Sequence, residues 1–336
     1  MKIRILIDAK QIGGVETHVM NLCEALALRH HEVILIFVCA YSNNGLYALC
    51  EQRGINYLSC RSFAHLKQIL DESNPDIIHA HGYKANIYAR LVGLMDKIPV
   101  VTTFHAGEKP VGRLIVYNAL DRWSSFFSNN ICVNSRIARS LPTKATLIPN
   151  FVDVPSPNTL RDSKPFAIYF IGRVSPEKGP LEFCQLAEKS DSNALTWHMV
   201  GTGPLIEACK SRYSNAVQFH GAVGAMDGIW PKVDLLCITS FYEGLPLVLL
   251  EAMSRGIPVI SFDVGSVKEV LSEPDCIIAC YDLEGMKKSI GAYFAKTLQE
   301  RQAMANRAIQ KIRSYFSREV VVPEIESFYQ KCIRSF

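Results

Sequence analysis

Apolar positions gather in short runs separated by longer amphipathic stretches, and the two kinds alternate along the whole chain. Runs at 3–7, 33–39, 77–80, 99–104, 131–133 and 145–148 read as buried strands; a second series follows at 166–171, 195–200, 217–219, 235–239, 258–262 and 277–279. Between the first runs, 15–29, 64–72 and 84–95 place apolar residues at helical spacing. Strands apolar on both faces, each followed by a helix, predict parallel sheets covered on both sides. Three prolines in the nine positions from Pro149 to Pro157 break this pattern and mark a connector. The chain therefore reads as α/β, with two Rossmann-like doubly wound domains at 1–150 and 159–315 and a hinge at 151–158. The stretch 298–336 is helical and charged, with Pro323 as a start or kink, and its last part, 316–336, is expected to pack back on the first domain. Two such domains facing each other would bring the carboxyl ends of both sheets to one cleft, where ligands of these folds bind.

Composition narrows the class. The 336 residues are 49% apolar and 20% charged, as in soluble globular proteins. No window approaches the ~18 uncharged apolar residues of a membrane span, and the N-terminal run is too short for a signal-peptide core. The 11 cysteines are odd in number, scattered, and without a C-x-x-C. That usage suits a reducing cytoplasm, the expected location, better than a disulfide scaffold. The net charge of +4 is uneven: residues 1–150 carry 16 basic and 11 acidic side chains, and the rest carry 20 and 21. This is too mild for a nucleic-acid partner.

The stretch Phe241-Tyr242-Glu243-Gly244-Leu245-Pro246-Leu247-Val248-Leu249-Leu250-Glu251-Ala252-Met253 holds the first candidate chemistry. Pro246 suits a first helical position, which puts Glu243 in a loop and Glu251 inside a buried helix. A carboxylate there needs a hydrogen-bonding partner. A ligand hydroxyl would serve, and so would Arg255, four residues on. Upstream, Gly172-Arg173-Val174-Ser175-Pro176-Glu177-Lys178-Gly179 leaves a strand and presents two cations, a ready site for a diphosphate. Gly13-Gly14 follows the first strand, where a backbone without Cβ can approach phosphate at a helix start. His79 and His81 share one strand face, but spacing supplies no third metal ligand. No D-x-D triplet occurs. No metal is therefore expected, and the cations take the place of one.

Taken together and in order, these segments resemble the retaining nucleotide-sugar glycosyltransferases of family four, which have the GT-B fold. Glu243 to Glu251 resembles the family's E-x7-E signature, Gly172 to Gly179 its G-R-x-x-x-E-K-G loop, and Gly13-Gly14-Val15-Glu16 its G-G-x-E. Pro149 to Asp153 is similar to its P-N-G-V-D hinge, and Val200 to Pro204 to its V-G-x-G-P. Phe151 departs from the hinge glycine, and Ser266 stands where a second glycine usually follows Gly265. The resemblance implies transfer of a sugar, with its anomeric configuration kept, from a nucleoside diphosphate to an acceptor hydroxyl. The donor would be a UDP-sugar in preference to a GDP-sugar, and the product an envelope glycan such as lipopolysaccharide or capsule.

It also implies the roles. Glu243, His105, Arg173 and Lys178 are the catalytic set. Gly13, Gly14, Arg173, Lys178, Glu243, Gly244, Leu245 and Glu251 hold the donor, with Glu251 on the ribose, and Glu16 meets the glycan or glycolipid acceptor. No resident cofactor is implied. Within 109–127, Arg113 and Arg122 accompany Trp123, Phe126 and Phe127, a mixture suited to an anionic membrane surface; the same stretch also reads as a core helix with its aromatics against the sheet. A hydrolase using the two glutamates has no need of the cationic loop, and an oxidoreductase would want G-x-G-x-x-G after the first strand. A GT-B epimerase or phosphorylase, or a non-catalytic member of the family, remains open.

Overall fold

The computed structural model describes residues 1–42, 44–105, 112, 114–162, 165–190, 194–224 and 226–336. They form two units, Met1–Phe151 with Arg318–Phe336, and Val152–Ser317. In the first unit, β1 (Lys2–Ile7), α1 (Gly14–Leu28), β2 (Glu32–Phe37), α2 (Gly45–Gln52) and β3 (Tyr57–Ser59) are followed by α3 (Phe63–Ser73), β4 (Ile77–His81) and α4 (Tyr83–Asp96). Then come β5 (Val100–Phe104), α5 (Leu114–Trp123), β6 (Asn129–Cys132), α6 (Ser135–Ser140) and β7 (Thr146–Leu147). The sheet is seven-stranded, in the order β3-β2-β1-β4-β5-β6-β7, and parallel throughout. Every residue of β4 and β5 is buried, as expected of strands covered on both faces. Helix starts are fixed by side chains: Asn44, Ser62 and Asn134 accept from backbone N–H groups of α2, α3 and α6.

The second unit runs β8 (Phe166–Ile171), α7 (Pro180–Glu188), β9 (Leu195–Val200), α8 (Ile206–Tyr213), β10 (Gln218–Gly221) and β11 (Leu235–Ile238). It continues with α9 (Leu247–Ser254), β12 (Val259–Phe262), α10 (Val267–Val270), β13 (Ile277–Ile278), α11 (Leu283–Ala295) and α12 (Leu298–Tyr315). Its six-stranded sheet has the order β10-β9-β8-β11-β12-β13, again all parallel. Both sheets reverse their strand order beside the first strand, between β1 and β4 in one and between β8 and β11 in the other. Such switch points open a crevice for ligands at the strands' carboxyl ends.

The last helix, α13 (Arg318–Arg334), returns to the first unit. Val321, Val322, Ile325, Tyr329 and Cys332 join the core formed by β1, β2 and α1. Pro323 lies inside α13 rather than at its start. The break between α12 and α13 falls at Phe316 and Ser317, where Ser317 Oγ donates back to the Arg313 carbonyl at 2.9 Å. Phe151, at the departure from the hinge glycine, is fully buried in the same core and packs edge-on against His18 at 5.4 Å. Its side chain is used for packing, so this position has a reason not to be glycine.

Helix α5 is attached in an unusual way. Its buried residue is Asp121, whereas Leu114, Ile115, Val116, Leu120 and Trp123 are exposed. Asp121 Oδ1 accepts from Arg90 Nη1 of α4 at 2.7 Å, and both side chains are almost fully buried. The Arg90 guanidinium also donates to the Asp121 carbonyl, Ser124 Oγ, Ser128 Oγ and Thr102 Oγ1. Burial pushes the Asp121 carboxyl up and the Arg90 guanidinium down, while each holds the other charged. A polar clamp, and not an apolar face, therefore docks α5 on α4.

Asp121→Ala should leave a buried guanidinium with its carboxylate gone and cost about 3–5 kcal/mol, whereas replacing both partners by apolar residues of similar volume should cost much less. Urea unfolding of the two variants measures the difference. Equal destabilisation by both would show that the pair is not what docks α5.

Candidate active site

At the carboxyl end of the second sheet, four loops are tied together through backbone. They follow β8, β9, β11 and β12, and glycine permits each close approach. Gly201 has φ +134°, and a Cβ there would stand 1.8 Å from the Gly172 carbonyl oxygen. A Cβ on Gly179 would meet the Thr239 carbonyl at 2.0 Å, and one on Gly265 the Glu243 carbonyl at 2.5 Å. Hydrogen bonds complete the floor: Val174 N–H to Thr202 O, Phe241 N–H to Glu177 O and Ser266 N–H to Gly244 O, at 2.9, 2.8 and 3.0 Å. Thr239 Oγ1 donates to the Gly179 carbonyl at 2.7 Å. Ser266 has φ −102°, ordinary for any residue, so serine fits where a second glycine was anticipated.

The floor lies at the switch point between β8 and β11 and brings the predicted residues together. Lys178 Nζ donates to Glu243 Oε1 at 2.7 Å. The family resemblance implies separate partners for these two, the diphosphate and the sugar. Here they are an ion pair, with 24% of the lysine and 8% of the glutamate side chain exposed. Arg173 is exposed on the same loop as Lys178. Gly244 and Leu245 are buried beside Glu243. Helix α9 opens at Leu247, with Pro246 as its cap residue rather than its first residue. Its positive end adjoins the Glu243 loop.

Glu251 is half-buried, one turn into α9, less enclosed than its apolar neighbours suggested. Arg255, the alternative partner, donates to the Glu251 backbone carbonyl at 2.8 Å, and its guanidinium lies 4.9 Å over the Trp230 ring. Sequence spacing could not foresee this stacking.

In the first unit, Gly13 caps α1 in extended conformation, and its carbonyl accepts from Thr17 N–H and Oγ1. A Cβ on Gly14 would meet nothing within 4 Å, and Glu16 is half-buried in the first turn. His105 follows β5, with its Nε2 2.9 Å from His81 Nδ1. Burial pulls its pKa down to about 4, although the Asn150 side chain opposes that shift. His18, on α1, is the residue the sequence reading missed. It lies on the buried face of α1 with its ring 4.9 Å from that of His105, a closeness no sequence spacing reveals.

Of the membrane-surface stretch, 109–111 and Arg113 lie outside the described residues. Arg122 spends its guanidinium on Ser140, at 2.8 and 3.0 Å. Trp123, Phe126 and Phe127 are 79%, 64% and 56% exposed.

Residues 12–155 match the family model Glycosyltransferase Family 4, and residues 165–295 match Glycosyl transferases group 1. An Escherichia coli UDP-Gal:alpha-D-GlcNAc-diphosphoundecaprenol alpha-1,3-galactosyltransferase is 27% identical over 60% of the chain and 61% of its own length. The Escherichia coli O-antigen biosynthesis glycosyltransferase WbnH is 23% identical over 98% of each chain. Among solved structures, Anabaena HepE in complex with UDP-glucose superposes with a TM-score of 0.85 at 18% identity, over 98% of this chain and 100% of that one. This last likeness is one of fold.

Gly201→Ala should destabilise the protein by more than about 2 kcal/mol, since it forces both a strained φ and a backbone clash. Gly14→Ala, at an open helix start, should change stability by less than about 1 kcal/mol. Paired denaturant titrations test the contrast; equal effects would mean that the loops do not interlock as described.

Proposed function

Because the chain belongs to the family 4, group 1 glycosyltransferases, we propose that it moves a sugar from a UDP-sugar to an acceptor hydroxyl of a lipid-linked envelope glycan, with retention of anomeric configuration. The observation that carries this reading is the Lys178–Glu243 pair at the switch point of the second sheet, with Arg173 exposed on the lysine's loop. Negative charge grows on a diphosphate as its bond to the sugar breaks, and fixed cations at that point lower the barrier. Lys178 and Arg173 supply them, and the start of α9 adds its positive end. Glu243 holds Lys178 in place before the donor arrives and accepts from sugar hydroxyls once the diphosphate shares the lysine.

Glu251 accepts from the ribose hydroxyls, Gly244 and Leu245 present backbone to the donor, and Gly13, Gly14, His105 and Glu16 keep the roles the family resemblance gives them. The substrates in the name of the Escherichia coli galactosyltransferase support a UDP-sugar donor and a polyprenyl-diphosphate-linked acceptor. With the diphosphate held by cations, transfer needs no added metal.

Lys178→Ala should weaken UDP binding by about 1.5–3 kcal/mol, the worth of one charge-assisted contact. Glu251→Gln should also lose affinity with little change in melting temperature. Calorimetric titration with UDP and GDP measures this, and NMR of the product formed in excess EDTA reads its anomeric configuration. Unchanged affinity in both variants, or an inverted product, overturns the reading.

The acceptor's lipid bears on α5. No helix of the described residues is long and apolar enough to cross a membrane. The outward face of α5 instead offers Leu114, Val116, Leu120 and Trp123 to solvent. Beside it, Leu94, Lys97, Ile98, Phe126, Phe127 and Phe336 line a groove of about 460 Å³. Apolar and aromatic tips with a lysine at the rim suit the headgroup layer of an anionic bilayer. Cosedimentation with phosphatidylglycerol vesicles should capture the chain at low salt and less of it at high salt. Trp123→Ser combined with Phe127→Ser should abolish capture, and Lys97→Glu should weaken it. Absence of capture at every salt concentration overturns the membrane contact while leaving the transfer reaction intact.

A further inference from the structure

Four imidazoles meet in the first unit near the carboxyl ends of β4 and β5, and they are not equivalent. His79 has both ring nitrogens engaged, Nδ1 with Tyr329 Oη at 2.5 Å and Nε2 with Thr103 Oγ1 at 2.7 Å. His18 and His81 are 4% and 0% exposed. Each keeps one nitrogen, Nδ1 of His18 and Nε2 of His81, sealed from solvent and without a hydrogen-bond partner among the described residues. Buried polar atoms are nearly always partnered, and two exceptions at one place call for an explanation. His105 closes the group: one nitrogen from each of His18, His81 and His105 falls within 4.8 Å of the others.

We propose that His18, His81 and His105 form a binding site for a first-row divalent transition-metal ion such as zinc, held by three imidazoles with one coordination position open. Around a tetrahedral ion with metal–nitrogen bonds of ~2.0–2.1 Å the ligand atoms stand about 3.3 Å apart, so ring rotations of roughly an ångström close the site. Three nitrogen donors without a carboxylate select zinc, cobalt, nickel or copper over magnesium and calcium. His81 Nδ1 and His105 Nε2 are hydrogen-bonded to each other at 2.9 Å, and an ion binds by replacing that bond. The His79 ring, fixed by Tyr329 and Thr103, packs against that of His81 at 4.2 Å and limits how far it can turn. The site differs in place and chemistry from a metal that bridges a diphosphate. Resting on the reading of His105 as a donor-site residue, a bound ion withdraws that side chain from the sugar and inhibits transfer.

The test uses the full chain carrying Cys280→Ser, which removes the exposed thiol. The protein is stripped with chelator and titrated with Zn²⁺ by calorimetry and with Co²⁺ by visible absorption. One equivalent should bind. The cobalt spectrum should show the d–d bands of a four- or five-coordinate site without the near-ultraviolet band of a cobalt–thiolate bond. His18→Gln and His81→Gln should each weaken binding at least 100-fold, with circular dichroism confirming the fold. The cobalt spectrum keeps the test valid if a variant fails to fold. Absence of stoichiometric binding, a thiolate band, or affinity unchanged in both variants overturns the site. UDP affinity measured on the same samples separates that failure from failure of the donor reading: loss of the metal site with UDP binding intact leaves the transferase assignment standing.

Discussion

The close approach of backbone to backbone at the carboxyl end of the second sheet is the constraint on which the candidate site depends. Gly201 sits against the Gly172 carbonyl, Gly179 against that of Thr239, and Gly265 against that of Glu243. None of these contacts tolerates a Cβ, and one of them, Gly179 against Thr239, joins the loop that carries Lys178 to the loop that carries Glu243. A long, flexible lysine would otherwise lose much entropy in meeting a carboxylate 65 residues away in sequence. Here the loops are fixed before the side chains meet, so the pair forms at lower cost.

That pairing changes how the motif residues are understood. Read one at a time, Lys178 and Glu243 are a cation for phosphate and an acid for sugar. In the folded chain each is the other's partner, and the glutamate is nearly enclosed. On the proposed reading, a diphosphate meets a lysine that is already paired and has to compete for it. The result is a preorganised site, with its cation held in position before the ligand binds.

Periodicity made the sheets legible. Every predicted run overlaps a strand, most clearly where the strand is buried and continuously apolar, as in β8 and β11. What escaped were two short elements. β3 has three residues and is partly exposed, and α2 has eight residues with two buried, too few to show a period. Pro323 suggested a helix boundary that the chain places earlier, where Ser317 turns its hydroxyl back on α12. Proline six positions into a helix removes one hydrogen bond, a cost that burial of Val321, Val322 and Ile325 offsets. Phe151 was legible as a departure from pattern but not as a core residue, since its neighbours come from α1.

The candidate site divides in the same way. Motif loops could be read because their glycines and charges are local in sequence. The histidine cluster could not, because its members lie on α1, at the end of β4 and after β5 and meet through topology alone. His79 and His81 showed a shared face; the residues that complete the group stand 61 positions before His79 and 24 after His81. The parallel order β1-β4-β5 sets those strand ends side by side, and α1, entering from β1, lays His18 across them. Helix α5 shows the converse. Its apolar residues would normally mark a core face, yet the buried anchor is an aspartate. The Arg90–Asp121 clamp reverses the usual order of inside and outside, and this leaves the apolar face of α5 open to a partner from outside the chain.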